Sequence, residues 1–354
     1  MSEQLKQLRD QIDHLDDEML KLVNQRAGLA QQIGHLKEDG AVLRPEREAQ
    51  VLRRLAVANP GPLSAESIAR LFTEIMSHCR ALEAPITVAY LGPAGTFSEA
   101  AAHRRFGSAI IGLPCESFDQ VFRAVGSGSA NYGVVPVENS SEGAIGHTLD
   151  LLLETPLKVC GEVNLAVHQC LLSKAEMAAI STVYSHPQSL AQCHDWLTAN
   201  LPQALRSPVS SNAEAARLAA EHDTDSAAIA GRNAAERFGV PVLAENIEDD
   251  PRNTTRFLVI GNQEVAPSGR DKTSLVLSAP NRPGAMHDLL APLAKHGVSM
   301  TKLESRPARS GLWEYVFYMD IEGHQADTGV AAALAELRQA AAFMKLLGSY
   351  PAAD

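Results

Sequence analysis

Hydrophobic residues recur every three or four positions through the first 36 residues of the chain. They are Leu5, Leu8, Ile12, Leu15, Met19, Leu22, Leu29, Ile33 and Leu36. This spacing contains no proline and predicts one long amphipathic helix over residues 3–38. Two further helices are predicted over 44–58 and from Ser64 to about Glu83, because Ser64 suits an N-cap and Ala84-Pro85 ends the pattern. Residues 1–84 therefore predict an all-helical domain.

The pattern changes at Ile86, where short apolar runs begin to alternate with helical stretches. The predicted strands are 86–92, 132–137, 165–173, 182–186, 227–231 and 256–261, and the predicted helices are 98–106, 117–127, 188–200, 212–222 and 232–238. Such alternation predicts an α/β domain with largely parallel sheets over residues 86–262.

A polar stretch, "NQEVAPSGRDK", follows this region and is typical of a linker. The C-terminal region then has the order βαββαβ. Its predicted elements are strand 273–279, helix 284–296, strands 298–306 and 312–321, helix 328–342 and strand 343–350. This order predicts a ferredoxin-like domain over residues 272–350.

Composition narrows the functional class. The chain has 354 residues and a net charge of −11, so a basic surface for nucleic acid is not expected. Its five cysteines include no CxxC pair, the N-terminus has no apolar signal core, and no run approaches about 20 apolar residues. We therefore expect a cytoplasmic protein that does not bind membranes. His186 and His194 lack zinc-ligand spacing, so no metal site is expected.

The cations of the first region point to an anionic ligand. Arg26 and Lys37 are eleven residues apart on the predicted helix, which places them on one face about 16 Å apart along its axis. Arg9 precedes Arg26 by roughly 26 Å on another face. Pairing with a second copy would cover the long apolar stripe and bring Arg9 of one chain toward Arg26 and Lys37 of the other. We therefore predict an intertwined helical dimer; a solvated face of a coiled coil is the alternative.

The segments "LRDQIDHLDDEMLKLVNQRAGLAQQIGHLK", "PEREAQVL" and "LFTEIMSHCRALE" resemble the all-helical chorismate mutases. The resemblance implies the rearrangement of chorismate to prephenate. It implies that Arg9 of the partner chain, Arg26 and Arg47 bind the two substrate carboxylates. It also implies that Lys37 hydrogen-bonds to the ether oxygen and that Glu48 binds the ring hydroxyl. The reaction is pericyclic, so the protein has only to position the substrate and stabilise charge.

Two positions depart from this family. Cys79 stands where a serine is common, and Glu83 stands where a glutamine donates to the ether oxygen. A glutamic acid donates only while its carboxyl group is protonated. The resemblance therefore implies a mutase activity that declines as Glu83 ionises, and it leaves open a chain in which only one activity survives.

Four segments of the middle region carry small polar groups at the ends of apolar strands, where open α/β sheets bind ligands. They are "VAYLGPAGTFSEAA", "VVPVENSSEG", "VYSHPQSLAQC" and "NTTRF". The first has a turn, with Gly95 and Thr96, that suits an anion at a helix N-terminus. Together they resemble the prephenate dehydratases, which implies two α/β lobes similar to those of periplasmic binding proteins and a site in the cleft between them.

The dehydratase resemblance implies a reaction that needs no cofactor, since prephenate loses carbon dioxide and water to give phenylpyruvate. It assigns Thr255 a hydrogen bond to the leaving hydroxyl, Arg256 a substrate carboxylate, and Phe257 a wall for the ring. It also assigns active-site positions to Glu138, Asn139, Ser185 and Gln192. For Glu138, a structural N-cap remains the alternative.

The C-terminal region resembles an ACT domain, through "NRPGAMHDLLAPLAKHG" and "KLESRP". In the dehydratase family these segments form the phenylalanine site. The effector-binding residues implied are Asn281, Gly284, Ala285, Met286, Glu304, Ser305 and Arg306. We expect phenylalanine to inhibit mainly the dehydratase.

The whole chain thus resembles the bifunctional chorismate mutase/prephenate dehydratases, as a homodimer or a larger oligomer. The predicted fold is multidomain, with an all-α intertwined dimerising domain (1–84), a two-lobed α/β domain (86–262) and a ferredoxin-like ACT domain (272–350). A non-catalytic amino-acid-binding regulator is the alternative of another class, and it would bind ligand without turnover.

Overall fold

The structure is a computed structural model that describes residues 3–36, 42–221, 225–280, 282–307 and 315–353. The chain divides into two compact units. The first comprises the described residues of Met1–Ile86 together with Arg105–Ile111, and the second those of Thr87–Arg104 and Gly112–Asp354.

The first unit is all-helical, as predicted, and consists of α1 (Glu3–Leu36), α2 (Pro45–Ala58) and α3 (Ala65–Ala81). Ser64 caps α3 by accepting the backbone N–H of Ser67 at 3.1 Å. The segment Arg105–Ile111 packs on α3, where Glu74 Oε2 accepts the Ser108 backbone N–H and hydroxyl at 3.0 and 2.6 Å.

Helix α1 has 34 residues and a length of about 51 Å at 1.5 Å per residue. No residue of α1 is buried by the rest of the described chain. The apolar stripe predicted from the sequence is 40–81% exposed along its whole length. Folded proteins rarely leave an apolar face of this size exposed.

The second unit contains three sheets. Its strands are β1 (Thr87–Leu91), β2 (Ile111–Cys115), β3 (Tyr132–Asn139), β4 (Gly143–Ala144), β5 (Lys158–Ala166), β6 (Cys170–Leu172), β7 (Thr182–Ser185), β8 (Leu205–Pro208), β9 (Ser226–Ala230), β10 (Val242–Ala244), β11 (Thr254–Gly261), β12 (Asp271–Ser278), β13 (Met300–Pro307), β14 (Tyr315–Glu322) and β15 (Phe343–Pro351). Its helices are α4 (Phe97–Phe106), α5 (Phe118–Gly126), α6 (Gly146–Glu154), α7 (Pro187–Gln192), α8 (His194–Asn200), α9 (Asn212–Glu221), α10 (Arg232–Phe238), α11 (Ala285–Lys295) and α12 (Thr328–Ala340).

The predicted two-lobed α/β domain is confirmed. The sheet of the first lobe has the order β2-β1-β3-β11-β5, with β4 beside β3, and the sheet of the second lobe has the order β10-β6-β9-β7-β8. The chain crosses between the lobes twice, after β5 and before β11. The two crossings run side by side, since Val167 N–H donates to Asn253 O at 2.8 Å and Ile247 N–H donates to Gln169 O at 2.9 Å.

The prediction of largely parallel sheets was wrong, because both sheets are mixed. Strand β11 returns from the second lobe and inserts antiparallel between β3 and β5, and β6 is antiparallel to both of its neighbours. The predicted strand 165–173 covers only the last two residues of β5 and the whole of β6, and its middle residues form one of the crossings. Residues 158–164 of β5 were not predicted as a strand. The predicted helix 188–200 is broken at Cys193 into α7 and α8.

The predicted ferredoxin-like domain is confirmed. Its sheet has the order β13-β14-β12-β15 with antiparallel neighbours throughout. One face of this sheet carries α11 and α12 over a core that includes Leu275, Leu289 and Leu337. Its other face shares a core with the first lobe, in which Val276, Tyr318 and Tyr350 join side chains of β3 and β11.

The segment predicted as a linker is instead docked against the domains on both sides. Val265, Ser268 and Asp271 are buried. Val265 O accepts from His324 Nε2 at 2.8 Å, and Gln263 Oε1 accepts from the Tyr132 hydroxyl at 3.0 Å. Polar composition alone did not reveal this docking. Across the described residues, no helix combines the length and the hydropathy of a membrane span.

Candidate active sites

Three buried polar side chains meet where β3 ends and β11 begins. Asn139 and Thr255 are direct partners in the antiparallel pairing, and Asn253 immediately precedes β11. Asn139 Nδ2 donates to Thr255 Oγ1 and to Asn253 Oδ1, both at 2.9 Å. Its Oδ1 accepts the backbone N–H groups of Ser141 and Glu142 at 3.0 and 3.3 Å, which fixes the orientation of the amide.

This arrangement makes Thr255 a donor. Because its Oγ1 already accepts an N–H from Asn139, the hydroxyl proton points elsewhere, and it has no acceptor among the described residues. Asn253 Nδ2 is also buried without a hydrogen-bond partner in the described chain. Two donors, one hydroxyl and one amide, are therefore held side by side at the start of β11, where they can bind oxygen atoms of a ligand.

The second lobe holds another polar group around α7. The Ser185 hydroxyl contacts Ile229 O at 2.8 Å and Asn212 Oδ1 at 3.0 Å. Asn212 Nδ2 and Gln169 Nε2 both donate to Ser189 Oγ, at 2.8 and 3.0 Å.

Gln192 joins this group through Gln169, whose Nε2 lies 3.4 Å from Gln192 Oε1. Gln169 Oε1 and Gln192 Nε2 are buried and have no partner among the described residues. Native proteins rarely leave buried polar atoms unpaired, so the Gln169 acceptor and the Gln192 donor are available to bind a ligand or water.

The structure thus brings Asn139 together with Thr255, and it joins Ser185 and Gln192 in one network. Sequence reasoning missed Asn253, Gln169, Ser189 and Asn212. Asn253 lies in the quoted "NTTRF" motif and could have been found there. Gln169 was hidden inside an apolar run that predicted a strand, while it lies on the crossing between the lobes.

The loop of Gly95 and Thr96 is more closed than predicted. Gly95 N–H donates to Glu99 Oε2 at 2.6 Å, and Thr96 Oγ1 donates to Leu91 O at 3.0 Å. A carboxylate of the following helix therefore takes the place that an anion was predicted to hold. Gly95 has φ +96, and a Cβ there would lie 3.2 Å from Phe238, so the turn requires glycine.

Arg256 and Glu138 do not join the Thr255 group. Successive residues of a strand point to opposite faces, and Arg256 extends away from the face of Thr255. Its guanidinium lies 2.8 Å from Glu162 Oε2 and 2.5 Å from Asp320 Oδ2. Glu138, which pairs with Arg256 across the strands, contacts Lys302 Nζ at 2.6 Å. Phe257 is buried in the first lobe.

The surroundings of Arg256 keep it charged. Burial lowers the pKa of Arg256, but the adjacent Tyr350, Asp320 and Glu162 raise it by more, so the net direction is upward. Burial has the opposite effect on Tyr350 and raises its pKa; the Tyr350 hydroxyl accepts a hydrogen bond from Arg256 at 3.0 Å. With both carboxylates bound, Arg256 is committed to the protein, and the prediction that it binds a substrate carboxylate has no support from this geometry. Glu138 is not an N-cap either, since Ile145 caps α6.

In the helical unit, Glu48 is buried and forms an ion pair with Arg80, while its other oxygen lies 3.0 Å from Arg105 Nη1. Arg47 is exposed on α2. Arg9 and Arg26 lie on α1, exposed and half-buried respectively. Glu83 is half-buried, and its side chain covers Gly34 of α1. Lys37 lies outside the described residues, so the predicted convergence of Lys37 with Arg26 stays a prediction.

The effector-site residues fall on α11 and β13. Gly284 has φ +79 and is the N-cap of α11, followed by buried Ala285 and half-buried Met286. Glu304 and Arg306 lie on the half-buried face of β13, and Ser305 lies on its exposed face. Arg306 contacts Asp150 of α6 at 3.3 Å. Asn281 lies outside the described residues.

Three family models match the chain in sequence order. Chorismate mutase type II matches residues 8–84, prephenate dehydratase matches 88–265, and the ACT domain matches 273–339. Among solved structures, the prephenate dehydratase of Arthrobacter aurescens in complex with L-Phe is 35% identical with a TM-score of 0.70, covering 75% of this chain and 90% of that one. A structure described as a novel type of quorum-quenching acylase is 32% identical, also with a TM-score of 0.70, covering 75% of this chain and 98% of that one.

A curated relative covers all three regions. The bifunctional chorismate mutase/prephenate dehydratase of Neisseria gonorrhoeae is 56% identical over 348 residues, which covers 98% of this chain and 96% of that protein. On this similarity, and on three matching regions in the same order, the chain belongs to the family of bifunctional chorismate mutase/prephenate dehydratases.

Proposed function

We propose that this protein converts chorismate to prephenate in its helical unit and prephenate to phenylpyruvate in its α/β domain, in the cytosol and under feedback inhibition by phenylalanine. The single observation that carries the second reaction is the pair of donors at Thr255 and Asn253, oriented by Asn139. Family membership carries the first.

The first reaction depends on a second copy of the chain. Helix α1 exposes its whole apolar stripe, and Arg9 lies too far along the helix to reach Arg26 of the same chain. In an antiparallel or crossed pair of α1 helices, Arg9 of the partner joins Arg26, Arg47 and Lys37 around the two carboxylates of chorismate. Such a pocket lowers the barrier by holding the compact conformer and by stabilising charge on the breaking ether bond.

In the second reaction, the ring carboxylate of prephenate leaves as carbon dioxide, and its bonding electrons form the last double bond of the aromatic ring. The ring hydroxyl leaves from the opposite carbon and takes up one proton, so that water is released. The Thr255 hydroxyl donates a hydrogen bond to this departing oxygen. Threonine is too weak an acid to supply a free proton, so Thr255 stabilises the developing hydroxide, which solvent then protonates.

The second lobe completes the cleft. Gln192 Nε2 is an unpaired donor that can bind a substrate carboxylate or carbonyl, and Gln169 Oε1 is an unpaired acceptor beside it. Both belong to the group that orients Ser185. The lobes are joined by two adjacent crossings, and one of the crossings carries Gln169 and the other carries Asn253. Closure of the lobes around prephenate would therefore bring both groups onto one ligand.

The C-terminal domain is the phenylalanine sensor in this proposal. The similar dehydratase from Arthrobacter aurescens was solved with L-Phe. Gly284 at the start of α11 leaves room for the amino acid's carboxylate beside the helix N-terminus, since no heavy atom lies within 4 Å of a Cβ at this position.

Incubation of the purified chain with chorismate tests the proposal directly. Prephenate should appear first and phenylpyruvate after it, and phenylalanine should suppress the second product. Prephenate supplied alone should also give phenylpyruvate. Binding of prephenate or phenylalanine with no product from either substrate would contradict the proposal and support a non-catalytic regulator. Sedimentation of the chain as a monomer with full mutase activity would contradict the shared pocket.

The acylase activity named for one similar structure does not transfer to this chain. An acylase that uses a hydroxyl nucleophile needs a base to remove its proton. Thr255 Oγ1 instead accepts an amide N–H, and Ser185 contacts a carbonyl and an amide oxygen, while no imidazole hydrogen-bonds to either hydroxyl within the described residues.

A further inference from the structure

A buried cluster of charges joins the catalytic lobe to the C-terminal sheet. Arg256 of β11 contacts Glu162 of β5 at 2.8 Å and Asp320 of β14 at 2.5 Å, and it donates to the Tyr350 hydroxyl of β15 at 3.0 Å. Lys272 of β12 adds a second cation, 2.8 Å from Glu162. The side chain of Glu162 is fully buried, and that of Arg256 is only 13% exposed.

The hydrogen bonds of the cluster leave its centre little freedom. Asp320 accepts from Ser274 Oγ at 2.5 Å, and Ser274 Oγ also lies 2.6 Å from the Tyr350 hydroxyl. Arg256 therefore uses its Nε and both terminal nitrogens on three partners, of which two belong to the C-terminal domain. A planar guanidinium held at three points restricts the side chain of Arg256, and these contacts link the C-terminal sheet to the backbone of β11.

That backbone also carries Thr255. Thr255 and Arg256 are consecutive residues of β11 and point to opposite faces of its sheet, one toward the cleft and one toward the C-terminal domain. The adjacent strand repeats this arrangement. In β3, Asn139 holds Thr255, while the preceding Glu138 contacts Lys302 of β13 at 2.6 Å.

Lys302 lies on the strand that carries the effector-site segment. Along β13, Lys302, Glu304 and Arg306 occupy the same half-buried face, and Arg306 contacts Asp150 of α6. A shift of β13 on binding an effector would therefore move the partner of Glu138 directly. Both strands that form the Thr255 group are thus held from behind by side chains of the regulatory domain.

We propose that Arg256 is a positioning residue, which sets the place of Thr255 according to the state of the C-terminal domain and does not contact substrate. This inference rests on the proposed function. The Lys302–Glu138 contact is the second connection between the two domains at these strands. Inhibition by phenylalanine then consists of a change at β13 and β14 that displaces Asn139 and Thr255 from their alignment.

The test is steady-state kinetics of the full-length chain with prephenate, with and without phenylalanine. Arg256→Lys keeps the charge but loses the planar guanidinium that bonds to three partners. We therefore expect kcat to fall about tenfold, with KM within about twofold of the wild type. Tyr350→Phe removes one hydroxyl at the back of the cluster. It should leave kcat and KM nearly unchanged but raise the phenylalanine concentration for half-inhibition at least about fivefold.

Two further variants sharpen the result. Lys302→Met should reproduce the loss of phenylalanine response through the second connection. Arg252→Lys is the matched control, since Arg252 lies in the same segment with its side chain 89% exposed, and it should behave as wild type. Thermal unfolding and mutase turnover of each variant report whether the chain is folded, and if Arg256→Lys does not fold, Tyr350→Phe and Lys302→Met decide the question.

Two outcomes would overturn the inference. A large rise in KM for Arg256→Lys with phenylalanine inhibition intact would place Arg256 on the substrate. Unchanged inhibition in both Tyr350→Phe and Lys302→Met would show that these contacts carry no coupling. A wild-type chain that forms no phenylpyruvate would instead contradict the proposed function itself, and the two failures are therefore distinguishable.

Discussion

Replacing Gly348 by alanine should separate the regulatory sheet from the catalytic lobe. Gly348 lies on β15 where this strand crosses β5, and a Cβ there would be 2.2 Å from the backbone oxygen of Val159 and 3.0 Å from its nitrogen. These are backbone atoms of a central sheet, so they cannot rotate away as a side chain would. The two strands must move apart to accommodate a single methyl group.

The size of the effect follows from the distances. Restoring an ordinary contact of 3.4 Å requires a separation of about 1.2 Å between β15 and β5. Tyr350 is two residues away, so its 3.0 Å hydrogen bond from Arg256 would stretch beyond hydrogen-bonding range. Strain from overpacking costs about 1–3 kcal/mol, and loss of a hydrogen bond to a charged group costs about 1.5–3 kcal/mol. Together these costs predict a destabilisation of about 2.5–6 kcal/mol and a fall in Tm of roughly 5–24 °C.

Differential scanning calorimetry of the full chain, followed by phenylalanine inhibition of the surviving enzyme, is the assay. Gly126→Ala is the matched control, because Gly126 ends α5 and no heavy atom lies within 4 Å of a Cβ there. The control should melt with the wild type, and Gly348→Ala should melt early and respond weakly to phenylalanine. If Gly348→Ala melts with the wild type, the close approach of β15 to β5 is not a feature of the protein and the reasoning fails.

The remaining predictions concern single side chains. Thr255→Val keeps the branched shape but removes the hydroxyl, so dehydratase kcat should fall about 100-fold while mutase turnover in the same preparation stays unchanged. Asn253→Ala should lower dehydratase kcat/KM by about tenfold or more, because it removes the second donor; equal rates would exclude Asn253 from the cleft. Lys345 Nζ donates to the carbonyl oxygens of Leu152, Leu153 and Thr155 at the end of α6, so Lys345→Met should lower the free energy of unfolding by about 2 kcal/mol, whereas Lys295→Met, on an exposed lysine, should not.

The elements that rest on long-range periodicity could be predicted from the sequence. The apolar stripe of α1 is visible as a spacing of three and four residues, and the structure confirms a helix over the described residues Glu3–Leu36. The βαββαβ order of the C-terminal domain could be predicted for the same reason, since each element there is long enough to show its own hydrophobic period. Short strands such as β8 and β10 have three or four residues and were missed, because so few positions establish no alternation.

Sheet direction could not be predicted in the same way. Alternation of strands and helices favours parallel neighbours, but it does not reveal that the chain leaves one lobe after β5 and returns through β11. The return makes β11 antiparallel to both of its neighbours, and this reversal brings Thr255 opposite Asn139. The pairing of Thr255 with Asn139 therefore depends on where the chain crosses between the lobes. Gln169 lies on one of these crossings, so its position could not be predicted for the same reason.

The role predicted for Arg256 rests on the family resemblance, and the geometry of a strand argues against it. The motif "NTTRF" places a hydroxyl, a cation and a ring next to one another in sequence, which suggests that they share one site. In a strand, adjacency means the reverse, since neighbours point to opposite faces and only alternate residues share one. If Thr255 faces the cleft, Arg256 must face the layer behind it, and an arginine there is stable only if carboxylates meet it. Glu162 and Asp320 do so, and because Asp320 belongs to the regulatory sheet, any displacement of that sheet is applied to the residue adjacent to Thr255, the proposed hydrogen-bond donor.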